Sequence, residues 1–171
     1  LLDAAITAFA SSGYRDASVA RIGTAAGLST TAAYAYFPTK DHLWRAAVSA
    51  DLDRLRARVR ETPIDPARPF ASAQLALVAA LPTHPLTRRV LVEGTPDELR
   101  LVRDHALVAE TTRFIAAGLR ERQAAGVLGA DADPEALALG LETISFSLLL
   151  TTLRAGLAGD AVRVGADAGV P

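Results

Sequence analysis

With 171 residues and half of them hydrophobic, the chain is long enough for one large or two small domains around a real core. It has no cysteine, which excludes a disulfide framework, a thiolate nucleophile and a Cys-based zinc site. The net charge of −1 is unevenly spread: residues 1–60 carry eight basic and five acidic groups, the remainder ten and fourteen. A basic first third on an acidic body suggests an anionic partner for the first third.

Ala and Leu dominate the composition, and both favour helix. Leu2, Ala5, Ile6, Phe9 and Ala10 recur at helical spacing, and Ser11-Ser12-Gly13 is expected to stop that first helix. Ser18 is placed to cap a second segment, Val19 to Ala26, and Gly27 follows where a left-handed turn residue belongs. Ser29 is the cap of a third short helix, Thr30 to Tyr36, which Pro38 ends. Thr39 caps a long fourth helix with Asp41 in its first turn, where a negative charge suits the helix dipole. Its inner face is Leu43, Trp44, Ala47, Val48, Leu52, Leu55 and Val59.

Three prolines between Thr62 and Pro69 cannot continue a helix. Beyond them helices are expected at 67–81, 86–93, 97–126 with an interruption, and 134–157. Asp133-Pro134-Glu135 is a strong helix start. No segment alternates as a surface strand would, so the predicted fold class is all-α. The most apolar window, Leu137 to Ala158, is interrupted by Glu142 and Arg154 and reads as a buried helix, not a membrane span. Ile144 to Leu153 is apolar nearly all round, which predicts burial by its own bundle and by a partner, hence a dimer.

Two short helices joined by a tight glycine-containing turn form a helix-turn-helix pattern, whose second helix lies in the DNA major groove. Ala33 and Phe37 share a face and are expected to pack inward with Ile22 and Leu28. Thr30, Thr31, Tyr34 and Ala35 then point elsewhere. Threonine can meet bases, phosphates or thymine methyls, and a tyrosine hydroxyl can donate to a phosphate. Lys40, the only lysine, opens the next helix, where its ammonium suits a phosphate.

The run from Leu2 to Tyr14, then Ser18-Val-Ala-Arg-Ile22, Ala26-Gly-Leu-Ser29 and Tyr34-Ala-Tyr-Phe-Pro-Thr-Lys-Asp-His-Leu43, resembles the DNA-binding domain of TetR-type transcriptional regulators. The resemblance covers about the first 50 residues; the rest resembles the family in being helical and of suitable length. It implies a homodimer, often a repressor, acting on a palindromic operator in double-stranded DNA. It implies a second domain that binds a small apolar or amphipathic ligand and so respaces two DNA-reading heads, and C-terminal helices that make the dimer. By position it assigns Ser18, Arg21, Thr30, Thr31, Ala32, Tyr34, Tyr36 and Lys40 to DNA, with Tyr34 and Lys40 on phosphates and Thr30 and Thr31 on bases.

Members often carry a basic residue at the positions of Ala20, Thr30 and Ala35, and a Leu at that of Ala33, so this head is poorly charged. They also tend to have a basic arm ahead of the first helix, whereas this sequence opens at Leu1, and a last dimer helix is expected to begin in 159–171.

The expected domains are 1–46 for the head, 47–66 for a connector helix and Pro-rich hinge, and 67–171 for ligand binding and dimerisation. Phe70, Leu77, Leu91, Leu101, Phe114, Phe146 and Leu149 are candidate pocket positions, with His105 and Arg113 as polar anchors. His42, His84 and His105 lack metal spacing, and no Gly-x-Ser-x-Gly elbow occurs, so neither metal, cofactor nor catalysis is expected. Nothing marks a signal peptide, and the expected location is cytoplasmic. The alternative is a helical DNA-binding module whose second domain meets a protein partner instead of a small-molecule inducer.

Overall fold

A computed structural model describes residues 1–65 and 68–156. These form α1 (Leu2–Asp16), α2 (Val19–Ala25), α3 (Thr30–Tyr36), α4 (Lys40–Glu61), α5 (Pro69–Ala80), a 3-10 turn (Leu81–Thr83), α6 (Pro85–Glu93), α7 (Pro96–Arg103), α8 (Ala106–Ala124) and α9 (Pro134–Arg154). No strand occurs among the described residues, and the fold is all-α. The last dimer helix expected in 159–171 lies outside them.

Caps and turns place the first four helices. Ser18 Oγ accepts from the Arg21 N–H at 3.5 Å, Ser29 Oγ from Ala32 at 3.1 Å and Thr39 Oγ1 from His42 at 3.2 Å, each satisfying a free amide of a first turn. Gly27 sits at φ +74°, the left-handed region a Cβ disfavours, and turns the chain from α2 into α3. Gly13 departs from expectation: it kinks α1 at φ 76° without ending it, and helix resumes to Asp16. The kink frees upstream carbonyls, and Arg89 of α6 reaches across to donate to Ala10 O at 2.9 Å and Ser11 O at 3.4 Å.

The chain packs as two compact units whose bounds differ from the division expected from sequence. One comprises residues 1–61 and 80–102, so α6 and most of α7 join the first four helices; the other comprises the described residues of 62–79 and those from 103 to 156. The first unit is centred on Phe9, Leu43, Leu52, Leu55, Leu86 and Val90, all fully or almost fully buried. The expected inner face of α4 is buried except Val59, which is half-buried, and it includes one residue the apolar pattern passed over. Asp51 is 2% exposed. Its carboxylate accepts from the Thr87 N–H at 2.8 Å and Thr87 Oγ1 at 2.9 Å, and lies 3.2 Å from His84 Nδ1. A residue of α4 thus caps the first turn of α6, which has no side-chain cap of its own.

In the second unit, α8 and α9 pair, with Ile115, Ala116 and Ala138 at the centre and Phe70 and Leu119 packed against them. Asp133 caps α9 by accepting from Glu135 and Ala136, as its sequence implies. The expected burial of α9 on several sides is not met within one chain. Ala138, Glu142, Leu149 and Leu153 line its buried stripe, while Leu137, Leu139, Leu141, Ile144 and Leu148 are exposed. The helix is long and apolar enough to cross a membrane by length and composition, and 17% of its apolar window is buried. The physical reason is that a single stripe meets α8, and a helix apolar all round has further faces to cover.

Asp51→Ala leaves the Thr87 amide and His84 ring without their buried acceptor. It is expected to cost about 2–4 kcal/mol of stability, with a smaller loss for Asp51→Asn, read from denaturant unfolding midpoints. An unchanged midpoint for Asp51→Ala would contradict the capping role.

Candidate nucleic-acid interface

The crossing of α2 and α3 is set by two small residues. A Cβ added to Gly23 would lie 2.5 Å from the Ala33 Cβ, closer than side chains ever approach. Gly23, Ile22 and Ala33 are all buried, so the two helices meet nearly backbone to backbone. Phe37 and Leu28, expected inside with them, are half-buried.

With Ala33 turned inward, α3 presents Thr30, Thr31, Tyr34, Ala35 and Tyr36 to solvent. Tyr34 is 45% exposed and Tyr36 69%, so neither is a core aromatic. Arg21 is exposed on α2, while Ser18 and Ala32 are half-buried at the helix starts. The third tyrosine serves packing: Tyr14 and Phe9 lie edge-on to Trp44, with centroids 5.5 Å and 5.0 Å away.

Lys40 differs from the simple picture of a free ammonium awaiting phosphate. Its Nζ donates to Arg15 O at 3.0 Å and Ala17 O at 3.2 Å, and lies 4.6 Å from the Tyr14 ring centroid. It ties the end of α1, where a cation complements the helix dipole, to the start of α4, leaving one N–H. Sequence reasoning also missed Arg89 and the Asp51 network. Asp51 was legible in retrospect, because it falls four residues from both Ala47 and Leu55 on the same helix face.

The candidate pocket positions fall in both units. Phe70 and Phe114 line a half-open groove of about 610 Å³ in the second unit, with Ile115, Leu119, Leu141, Glu121 and Arg122. Leu91 is buried in the first unit, where Leu101 is half-buried, and neither lines that groove. Leu77 is half-buried, Leu149 is buried, and Phe146 lies under Arg103, whose guanidinium carbon is 5.6 Å from the ring centroid. His105 Nδ1 accepts from the Leu107 N–H at 3.2 Å, capping α8, and Arg113 is exposed with Nε on Ala109 O. Both expected polar anchors thus serve their own helix.

Residues 1–47 match the bacterial regulatory proteins of the TetR family. No curated protein matches the chain by sequence. Among solved structures, the chain is similar to the fatty acid degradation regulator FadR from Bacillus halodurans, at 18% identity and a TM-score of 0.65 over 94% of this chain and 83% of that one. It is similar to a TetR/AcrR-family regulator from Thermobifida fusca YX-ER1, at 18% identity and a TM-score of 0.60 over 92% and 93%. A transcriptional regulator from Rhodococcus sp. Rha1 shares 28% identity and a TM-score of 0.56 over 96% and 83%. The helix-turn-helix built on the Gly23–Ala33 approach lies within the 47 residues that match the TetR family, and the helical architecture that follows it has the fold of solved TetR-family regulators.

Proposed function

We propose that the protein is a ligand-responsive repressor that binds a palindromic operator as a homodimer in the cytoplasm. The observation that carries this reading is the solvent-facing polar surface of α3 on a rigidly crossed helix-turn-helix. Residues 1–46 read DNA, 47–66 connect, and 67–171 hold ligand and dimer functions. Thr30 and Thr31 face bases, with Ala32 beside them, while Ser18, Arg21, Tyr34, Tyr36 and the remaining Lys40 N–H meet phosphates. A second copy covers the α9 stripe of Leu137, Leu141, Ile144 and Leu148, and a two-fold dimer then reads a two-fold operator.

The groove of Phe70, Phe114 and Leu141 has the size and apolar lining of a small-molecule site, with Arg122 and Glu121 supplying polarity at its edge. Ligand binding favours a head spacing that no longer fits the operator. The exposure of α9 together with a half-open groove also favours a second reading, in which this unit docks a protein partner.

The test is selection of the chain on random duplexes, followed by salt titration on the best site and ligand screening against it. A saturating ligand that leaves operator affinity unchanged would remove the induction step.

Lys40→Ala is expected to weaken binding about tenfold across sequences and to reduce the salt slope by about 1, because one phosphate contact is lost. Lys40→Arg should retain the slope.

Ile144→Glu, on a side chain 66% exposed in one chain, is expected to yield a folded monomer by sedimentation with unchanged helicity and sharply reduced operator affinity. A dimer unaffected by this change would move the interface elsewhere.

A further inference from the structure

We propose that α3 selects its operator chiefly through thymine C5-methyl groups, an inference that rests on the DNA-binding reading above. The seven residues of α3, Thr-Thr-Ala-Ala-Tyr-Ala-Tyr, include no amide, carboxylate, guanidinium or amine. The hydrogen-bond pairings that fix a base are two-pronged for Arg on guanine and for Asn or Gln on adenine, and single for Asp or Glu accepting from the cytosine amino group. None can be made from this helix. Arg21 is the one cation on α2 and α3 together.

The exposed surface offers methyl groups instead. Thr30 and Thr31 are exposed on the first turn, and Ala35 presents its Cβ one turn later, while Ala33 is buried against Gly23. A β-branched side chain is stiff at χ1, and a helical threonine is confined to two rotamers, so each threonine methyl has few positions open to it. Thymine displays a methyl in the major groove, and apolar contact from Ala or Thr is its matching partner.

The hydroxyls do not supply equal selectivity. Ser18, Ser29 and Thr39 accept from local backbone amides, and Thr24 donates to Ala20 O. Among the described residues, no side-chain hydrogen bond involves Thr30 or Thr31, so their hydroxyls can meet DNA. A lone rotating hydroxyl, however, serves donors and acceptors alike and discriminates weakly among bases. Methyl burial also adds affinity without counterion release, which suits a head with few cations.

The experiment uses the full chain on its best selected duplex, with each thymine replaced singly by deoxyuracil, which removes only the methyl. At two or three thymines per half-site, affinity is expected to fall about fourfold each, the worth of one buried methyl. Thr30→Ser and Thr31→Ser keep the hydroxyl and lose the methyl. Each should weaken the thymine site and abolish the deoxyuracil penalty at its own position. Thr30→Val and Thr31→Val should preserve that penalty. Replacing a sensitive T·A pair by 5-methylcytosine·G, which carries the same methyl, should bind more tightly than unmethylated C·G.

Deoxyuracil effects within twofold at every position would overturn the proposal. So would serine variants that leave the penalty unchanged at every sensitive thymine, since these penalties would then report duplex shape. If duplexes are selected and bind tightly yet show no methyl dependence, the inference fails while the DNA-binding reading stands. If no duplex is enriched at low salt, both fail.

Discussion

The close approach of Gly23 to Ala33 is the constraint from which the DNA-reading surface follows. Two helices that touch nearly backbone to backbone have little room to rotate or slide, because the interior around them is close-packed. That contact decides which residues of α3 face inward. With Ala33 at the seam, the threonines, Ala35 and both tyrosines are left on the outer surfaces. The tight turn at Gly27 and the two serine caps hold the helix ends, so the crossing is specified by small residues throughout. A larger residue at position 33 would require the helices to separate and would reposition the whole outer face.

Longer-range ties then hold this pair in its frame. Lys40 pins the end of α1 to the start of α4 through two carbonyls, and Asp51 joins α4 to the first turn of α6 from inside the core. Each replaces a local cap with a distant one. A distant cap fixes the angle between elements as well as satisfying an orphan group, which makes the connector part of the head's architecture. The compact unit accordingly includes residues 80–102.

What could be read from the sequence was local chemistry. Ser18, Gly27, Ser29, Thr39 and Asp133 announce helix ends because each acts on amides or turns within a few residues of itself. The inward positions of α4 were equally plain from spacing. The partners of Arg89 and Asp51 were not, since they lie 78 or 79 and 33 to 36 positions away, and spacing carries no information at that range. Gly13 shows the same limit: its break was visible, but the arginine that lets α1 resume beyond it was not. His105 looked like a polar anchor because a lone histidine among apolar residues suggests a site; its cap bond to Leu107 depends on the interruption between α7 and α8. How the burial of α9 divides between its own bundle and another surface was not legible, because an all-round apolar helix looks the same whichever covers it.

The latch between Arg89 and the kink at Gly13 bears on the order in which the chain can fold. The helix-turn-helix is made before α6 during synthesis, yet the carbonyls of Ala10 and Ser11 find their donor only after α6 has emerged. Leu86 and Val90, both buried in the same unit, also arrive late. Native closure of the head therefore waits for long loops to be bridged, a high-contact-order step in a protein whose helices are otherwise local. A fragment ending with α3 or α4 would carry every residue presented by the outer face of α3 and still lack the wedge that seats its first helix.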